Sequence, residues 1–280
     1  MTSIAVSGAS GKLGQNVVQS IRRITGQPLV ALTRTPESYS AKLPGLSARH
    51  ADFDQPAGLV DAMSGIDRLL IISTGYTGAD DRRVRQHKAA IDAAIAAGVR
   101  HIVYTSMFKA DSSPLTGMVA DHAATEAFLR ATGIGYTILR NAFYDDLAHQ
   151  LLARADAQGR FVHAAGAAGV AYATRTQCAD AAAYALTDGF EGRRTLDITG
   201  SRAITMPELA ALASAQRGRS YTAVPLTPEA LSDRLVSASV PKEHAALLAW
   251  IDRGLAEGAM APASDDFERL TGRKAPPLVL

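Results

Sequence analysis

Residues 3 to 14 read Ser3-Ile-Ala-Val-Ser-Gly8-Ala-Ser-Gly11-Lys-Leu-Gly14, and a helical stretch, Gln15 to Ile24, follows directly. An apolar strand that runs into a Gly-x-x-Gly-x-x-Gly turn and then into a helix has the order of a dinucleotide site. The first glycine permits the tight turn, and the second lets backbone N–H groups approach a pyrophosphate. The third allows helix and strand to pack closely, with the helix N-terminus favouring negative charge. Glycine-rich turns are often only turns. The placement of this one between strand and helix is what makes it a nucleotide fingerprint.

The end of the second strand, Pro28-Leu-Val-Ala-Leu-Thr33, distinguishes the two nicotinamide dinucleotides. An Asp or Glu about 20 residues past the glycines would accept hydrogen bonds from a ribose 2′-hydroxyl, whereas an arginine accommodates a 2′-phosphate. Arg34 stands there, and no carboxylate appears before Glu37. A guanidinium donates two parallel bonds to a phosphate, and Lys12 is placed to add a second charge. NADPH is therefore the expected cofactor.

Along the first half, apolar strands alternate with helical patterns. Strands are predicted at 3–7, 28–33, 68–73, 101–106 and 135–140, with helices at 12–24, 55–64, 80–97 and 120–132 between them. This rhythm predicts an α/β fold, a Rossmann-type doubly wound parallel sheet. Gly65, Gly98 and Gly133 each follow a helical run where a left-handed residue would end it, and Asp54-Gln-Pro56 reads as a helix start. The second half is more mixed: a strand near 170–174, a helix over 177–188 and a strand at 194–198. A helix then opens on the capping box Thr205-Met-Pro-Glu208, and two more cover 227–236 and 243–256. The predicted organisation is a nucleotide-binding domain over 1–150, to which the elements near 170–200 can return. A smaller mixed α/β substrate-binding region covers 151–280. Ala164-Ala-Gly-Ala-Ala-Gly169 is either a loop lining a cleft or a linker.

Composition narrows the partners. A net charge of +2 is too small to imply nucleic acid or an anionic membrane, and the local cluster Arg82-Arg83-Val-Arg85 reads as a solvated helix face. No apolar run approaches the roughly 18 residues that a transmembrane helix needs. The N-terminus is itself the first strand, so no signal peptide is expected, and a cytoplasmic location is predicted. The one cysteine, Cys178, lies in an apolar run and reads as a buried structural thiol. A homodimer is compatible with the chain, but nothing in the sequence specifies it.

In open α/β sheets ligands bind outside the carboxyl ends of the strands. Those ends carry Thr74, Gly75 and Tyr76 after Ser73. They carry Thr105, Ser106, Met107 and Phe108 after the next strand, and Arg140, Asn141, Ala142, Phe143 and Tyr144 after the fifth. Small hydroxyls, an amide and aromatics suit a flat nicotinamide and a planar organic substrate. A Tyr and a Lys four residues apart on one helix would supply a strong acid for a carbonyl oxygen. None of the eight tyrosines has a lysine at that spacing. On the helix concerned, Met118 occupies the Tyr slot and His122 the Lys slot.

These departures, with His122-x-x-Thr125-Glu126, the segment Tyr136-Thr-Ile-Leu-Arg140-Asn141 and the following Tyr144, resemble the NmrA-like branch of atypical short-chain dehydrogenases/reductases. Within it the chain is most similar to the bacterial NADPH:quinone oxidoreductase and triphenylmethane dye reductase group. The resemblance runs from Gly8 to the C-terminal Asp265-Asp-Phe-Glu-Arg-Leu-Thr-Gly272. It implies that Gly8, Ser10, Gly11, Lys12, Leu13 and Gly14 wrap the pyrophosphate. It implies too that Arg34 holds the 2′-phosphate and that Asp52 and Phe53 lie near the adenine. Ser73, Thr74 and Thr105 would approach the nicotinamide half, and Asn141 and Tyr144 would stand beside the substrate.

A quinone fits a site without the Tyr-Lys pair, because the oxyanion left after hydride arrival is stabilised by aromaticity and is a weak base. Positioning and one hydrogen-bond donor then suffice. His122 is either that donor or a structural replacement for the lysine; the structural reading is preferred, because donation demands reach to the substrate. The other histidines show no metal spacing, and Gln86-His87 reads as a solvated helix face rather than a cleft flank. Hydride transfer to a quinone or related planar acceptor is the leading function. A non-catalytic NADP(H)-sensing regulator and a reductase of aromatic ketones or lignin-type compounds are the alternatives.

Overall fold

The first strand, β1 (Ile4–Ser7), is buried along its whole length. That is the mark of a strand covered on both faces, where side chains of either parity must be apolar or paired. Helix α1 (Lys12–Ile24) turns Leu13, Val17, Val18 and Ile21 to the core at helical spacing, and Arg22 and Arg23 stand in its last turn, where the dipole favours cations. The computed structural model describes residues 3–40, 46–75 and 81–280. Elements β2 (Leu29–Thr33), α2 (Pro36–Ser40), β3 (Ser47–His50), α3 (Leu59–Met63) and β4 (Arg68–Ile71) follow. The chain continues through α4 (Arg82–Ala96), β5 (His101–Met107), α5 (Thr116–Ala131) and β6 (Gly135–Asn141). The second half contains α6 (Asp146–Ala153), β7 (Arg160–His163), α7 (Arg175–Thr187), β8 (Arg193–Ile198) and α8 (Met206–Arg217). It ends with β9 (Thr222–Pro225), α9 (Pro228–Ser237), α10 (Lys242–Ala256) and α11 (Asp266–Thr271).

The main sheet has seven strands in the order β3-β2-β1-β4-β5-β6-β8, every pair parallel, so the α/β doubly wound expectation is met. The order reverses between β1 and β4, and there the carboxyl ends open a crevice. A separate parallel pair, β7 with β9, belongs to the second half. Chain past residue 170 returns to the main sheet. β8 pairs along β6, and α7 packs on α1 through Ala-rich turns, where Asp180 Oδ1 accepts the Ser20 hydroxyl at 2.6 Å. Arg68, buried at the start of β4, donates to the carbonyls of Leu186, Ala185 and Phe190. It thereby serves acceptors at and just beyond the C-terminus of α7 that lack partners within the helix.

Several local expectations change. Residues 170–174 form no strand: Val170 bonds Ile204, Ala171 donates to Met260 O and Ala173 donates to Phe143 O, so consecutive residues serve different segments and only isolated bridges result. Helix α7 starts before residue 177, because Thr174 and Gln177 form a capping box. Gly133 is not left-handed; α5 ends instead on an extended Thr132 whose hydroxyl donates to Leu129 O. Gly65 and Gly98 do adopt positive φ, and the Thr205–Glu208 box is present. The segment after Pro56 opens as a short 3-10 turn.

The glycine turn is fixed by contact. Gly8 has φ of +61°, and a Cβ on Gly14 would lie 2.2 Å from Gly8 O and 2.7 Å from Ala9 Cα. Only a bare backbone lets α1 sit this close to the end of β1. Gly14→Ala is expected to cost about 3 kcal/mol in urea unfolding, the upper range for overpacking, because backbone rather than a side chain must move. A loss below about 1 kcal/mol would show that the turn yields.

Candidate functional site

At the switch point a cavity of about 480 Å³ runs from the glycine turn across the ends of β1, β2 and β4. Gly8, Ser10 and Gly11 form its floor, Arg34, Asp52 and Phe53 line one end, and Ser73 and Thr74 line the other. Ser10 Oγ accepts the Thr33 hydroxyl at 3.1 Å, and Ser7 Oγ accepts the Ile72 N–H at 3.0 Å, so polar side chains fix the turn against both neighbouring strands. Arg34 is exposed at the end of β2 and faces this cavity. Asp52 is held by its own turn, its carboxylate accepting the Asp54 N–H at 3.0 Å.

A second cavity, about 320 Å³, adjoins the first; Ile72 and Ser73 line both. Leu13, Thr105, His122, Asn141 and Tyr144 line it with Arg175. Thr105 Oγ1 accepts the Ser73 N–H at 2.9 Å, which links the ends of β4 and β5. Arg175 lies over the Tyr144 ring at 4.3 Å and reaches Asp146 at 2.5 Å. Burial pushes the Tyr144 phenol up. Asn141 lines this cavity, and its Oδ1 is buried with no partner among the described residues.

Of the residues that the sequence assigned to cofactor or substrate, these two cavities gather all but Lys12 and Gly14; of the other strand-end residues, Phe108 and Arg140 line neither. Lys12 is exposed on the first turn of α1 outside the lining, and Gly14 acts beneath it as the packing glycine. Tyr76 lies outside the described residues. Arg82 and Gln86 also line the first cavity, and Arg82 donates to both oxygens of Asp54, at 3.0 and 2.6 Å. That pairing holds the Asp54 carboxyl down to about 2.

The solvated-face reading of Arg83 and His87 is wrong, since both are buried and they belong to a relay beneath the cleft. Arg83 Nε donates to Thr74 O at 2.8 Å, and its Nη2 lies 2.8 Å from His122 Nε2. A guanidinium can only donate, so Nε2 accepts. The His122 proton is thereby assigned to Nδ1, which donates to the Tyr104 hydroxyl at 3.0 Å. In the same way the Thr74 N–H donates to His87 Nε2 at 3.0 Å, leaving His87 Nδ1–H for Thr125 Oγ1. Both rings are therefore neutral, and their N–H groups point into the protein. Burial and the Arg83 charge depress both; His87 falls to about 3. His122 borders the second cavity without offering it a proton. Patterns of spacing do not reveal this relay, because its members come from α4, β5 and α5 and meet only in the folded chain.

Glu126, fully buried on α5, accepts from Ser106 at 2.6 Å and from Arg140 at 2.9 and 2.7 Å. This ties α5 to the ends of β5 and β6 that form the cavity wall. Cys178 is buried and its thiol pushed up, as a structural role requires.

The glycine turn fits a pyrophosphate on this chain's own geometry. The N-cap of α1, Gly11, places no side chain over the first-turn N–H groups, and no acidic residue occupies that turn. A cation stands at the end of β2, where a 2′-phosphate would lie. Fold and site together define a dinucleotide-binding Rossmann protein. The chain belongs to the NAD(P)H-binding, NmrA-like family: the NAD(P)H-binding family model matches residues 8–189. Quinone oxidoreductase 2 of Escherichia coli is 36% identical over 96% of this chain and 93% of its own length. An NmrA-like family domain-containing oxidoreductase of Aspergillus flavus is 28% identical over 81% of this chain and 76% of its own. The crystal structure of Citrobacter sp. triphenylmethane reductase complexed with NADP(H) superposes with a TM-score of 0.89 at 33% identity, covering 98% of this chain and 96% of that one.

The relay makes a prediction about pH. His87 binds no proton in the folded chain until about 3, whereas an unfolded imidazole binds one below about 6.5. The unfolded state thus takes up more protons between those values, and stability falls as pH falls through that window. Lowering pH from 8 to 5 should destabilise the wild type by about 2 kcal/mol more than His87→Gln, measured by urea unfolding. Parallel pH profiles for the two proteins would contradict the assignment of a neutral buried ring.

Proposed function

We propose that this chain is an NADPH-dependent reductase that transfers hydride to a quinone or related planar conjugated acceptor. The observation that carries the reading is the pair of adjoining cavities. One is built from the glycine turn and Arg34; the other has Thr105, Asn141 and Tyr144 on its walls and shares Ser73 with the first. NADPH, when bound, supplies the hydride.

The chain's residues supply binding and orientation. Gly8, Ser10, Gly11, Leu13 and Gly14 shape the bed for the pyrophosphate, and Arg34 binds the 2′-phosphate, with Lys12 at the edge of the same field. Asp52 and Phe53 border the adenine end; Ser73, Thr74 and Thr105 border the nicotinamide end. Asn141 and Tyr144 position the acceptor. The Tyr144 hydroxyl can donate to its oxygens, whereas Asn141 Oδ1, which only accepts, would meet a hydroxyl of the reduced acceptor.

Among the described residues no strong acid stands behind the acceptor. The single His122 proton is committed to Tyr104, so His122 acts as a positioning residue for the cleft floor rather than as a proton donor. A reduced quinone tolerates this, because its oxyanion is weakly basic and takes its proton from water or from Tyr144. The named activities of the quinone oxidoreductase and the triphenylmethane reductase support the choice of planar, conjugated acceptors. The second half, 151–280, forms the far side of the substrate region in this reading. A cytoplasmic location is part of it too, resting on the single buried thiol.

Arg34→Ala should remove most of the preference for NADPH over NADH, a loss of roughly 10- to 100-fold, as expected for one or two charge-assisted bonds. Titration of both nucleotides checks this, and equal affinities in the wild type would contradict it. In NADPH oxidation assays with menadione, Tyr144→Phe should lower turnover only about 10-fold, the effect of lost positioning rather than of a lost acid. A fall beyond about 10⁴-fold would make Tyr144 an essential acid and overturn the mechanism.

A further inference from the structure

A third cavity, about 490 Å³, lies within the second half and shares no lining residue with either part of the cleft. Its walls come from α6, α9, α10 and the β7–β9 pair, and Leu147, Leu151, Val162, Leu235, Leu248 and Leu255 make them apolar. The volume is that of a small-molecule site and far above the voids left by ordinary packing.

Its polar lining is Arg154, Asp156, Arg160, Tyr172, Arg234 and Asp252, and the Arg154 charge acts on the Asp252 carboxyl. Tyr172 is 4% exposed, and its hydroxyl bonds no group among the described residues although the ring lines the cavity. Asp252 spends one carboxylate oxygen on the Ala164 N–H at 2.7 Å and lies close enough to Tyr172 for its charge to act on the phenol. At the rim stand Arg154 and Arg234, both exposed. Among the described residues neither forms an ion pair, whereas the neighbouring Arg160 is paired with Asp156 at 2.8 Å. A phenol that lines a hollow and has no partner among the described residues can bond a ligand or water there. Two unpaired guanidinium groups beside an apolar hollow suit an anionic end.

We propose that this cavity is a second small-molecule site that binds an amphipathic organic anion, with its apolar body between α6 and α10. A hydrogen-bonding group would lie at Tyr172 and Asp252, and the anionic group would lie at Arg154 and Arg234. The site is separate from the acceptor cavity. Tyr144 lines the acceptor cavity and Tyr172 this one, and the Tyr144–Ala173 bridge joins their backbones; α6, which contributes Leu147 and Leu151, begins at the Asp146 that holds Arg175 over Tyr144.

The test uses 8-anilinonaphthalene-1-sulfonate, which has an aryl body, an N–H and a sulfonate, titrated by fluorescence into the full chain saturated with NADP⁺. Saturable binding is expected that menadione does not displace. The double variant Arg154→Glu, Arg234→Glu should weaken it at least tenfold, and Leu151→Trp should abolish it by filling the hollow, with NADPH affinity unchanged in both. N-phenyl-1-naphthylamine, the same body without the sulfonate, should bind at least tenfold more weakly to the wild type. Should Leu151→Trp fail to fold, the rim variant still decides. Displacement by menadione, indifference to the rim charges, equal binding of the neutral probe or no saturable binding would each overturn the proposal.

Discussion

The contact on which the site depends is the approach of α1 to the end of β1 at Gly14, where no side chain fits over the Gly8 carbonyl. It fixes the height and angle at which the helix N-terminus faces the crevice. The floor of the cofactor cavity follows from it, because Gly8, Ser10 and Gly11 can line that cavity only with the turn drawn tight. The other face of α1 then packs on α7, so that chain from the second half buttresses the same helix through Ser20 and Asp180. A nucleotide site that opens at residue 8 is thus held from beneath by residues more than 150 positions later.

The opposite wall is held by a different device. The loop after β4 hangs on Thr74, whose N–H and carbonyl are taken by His87 and Arg83 of α4. Arg83 and His87 connect onward through His122, Tyr104 and Thr125 to α5 and β5. Where a Tyr-Lys pair would place an acid, the chain carries two neutral imidazoles held around the Arg83 guanidinium, which faces Asp121 at 3.7 Å. Their partners at Nε2, that guanidinium and a backbone N–H, can only donate, so the tautomers have no freedom. Shape and dipole orientation are retained while the strong acid is given up, which matches an acceptor whose reduced form needs little help with its proton.

Much of this was legible in the sequence. The glycine spacing, Arg34 at the end of β2 and the alternation of apolar strands with helices are local signals, and they led to the sheet, the cofactor end of the cleft and the residues at the strand ends. Short edge and satellite strands left no such signal: Ser47-Ala-Arg-His50 has no apolar run, and β7 and β9 are four residues each. Residues 170–173 carried a strand-like composition, but their bonds are shared among three segments. Arg83, His87 and Gln86 read as solvated because their role depends on α5 and on the β4 loop, which no single helix pattern contains. The Thr174–Gln177 box was readable and would have placed the start of α7.

The central claim is direct hydride transfer within the cleft, and single-turnover oxidation of stereospecifically deuterated NADPH by menadione tests it most directly. The account predicts a primary isotope effect for one labelled face of the nicotinamide and none for the other. NADPH bound firmly yet oxidised no faster than in buffer, with menadione and with every other quinone or dye offered, would contradict it and leave a nucleotide sensor in place of an enzyme.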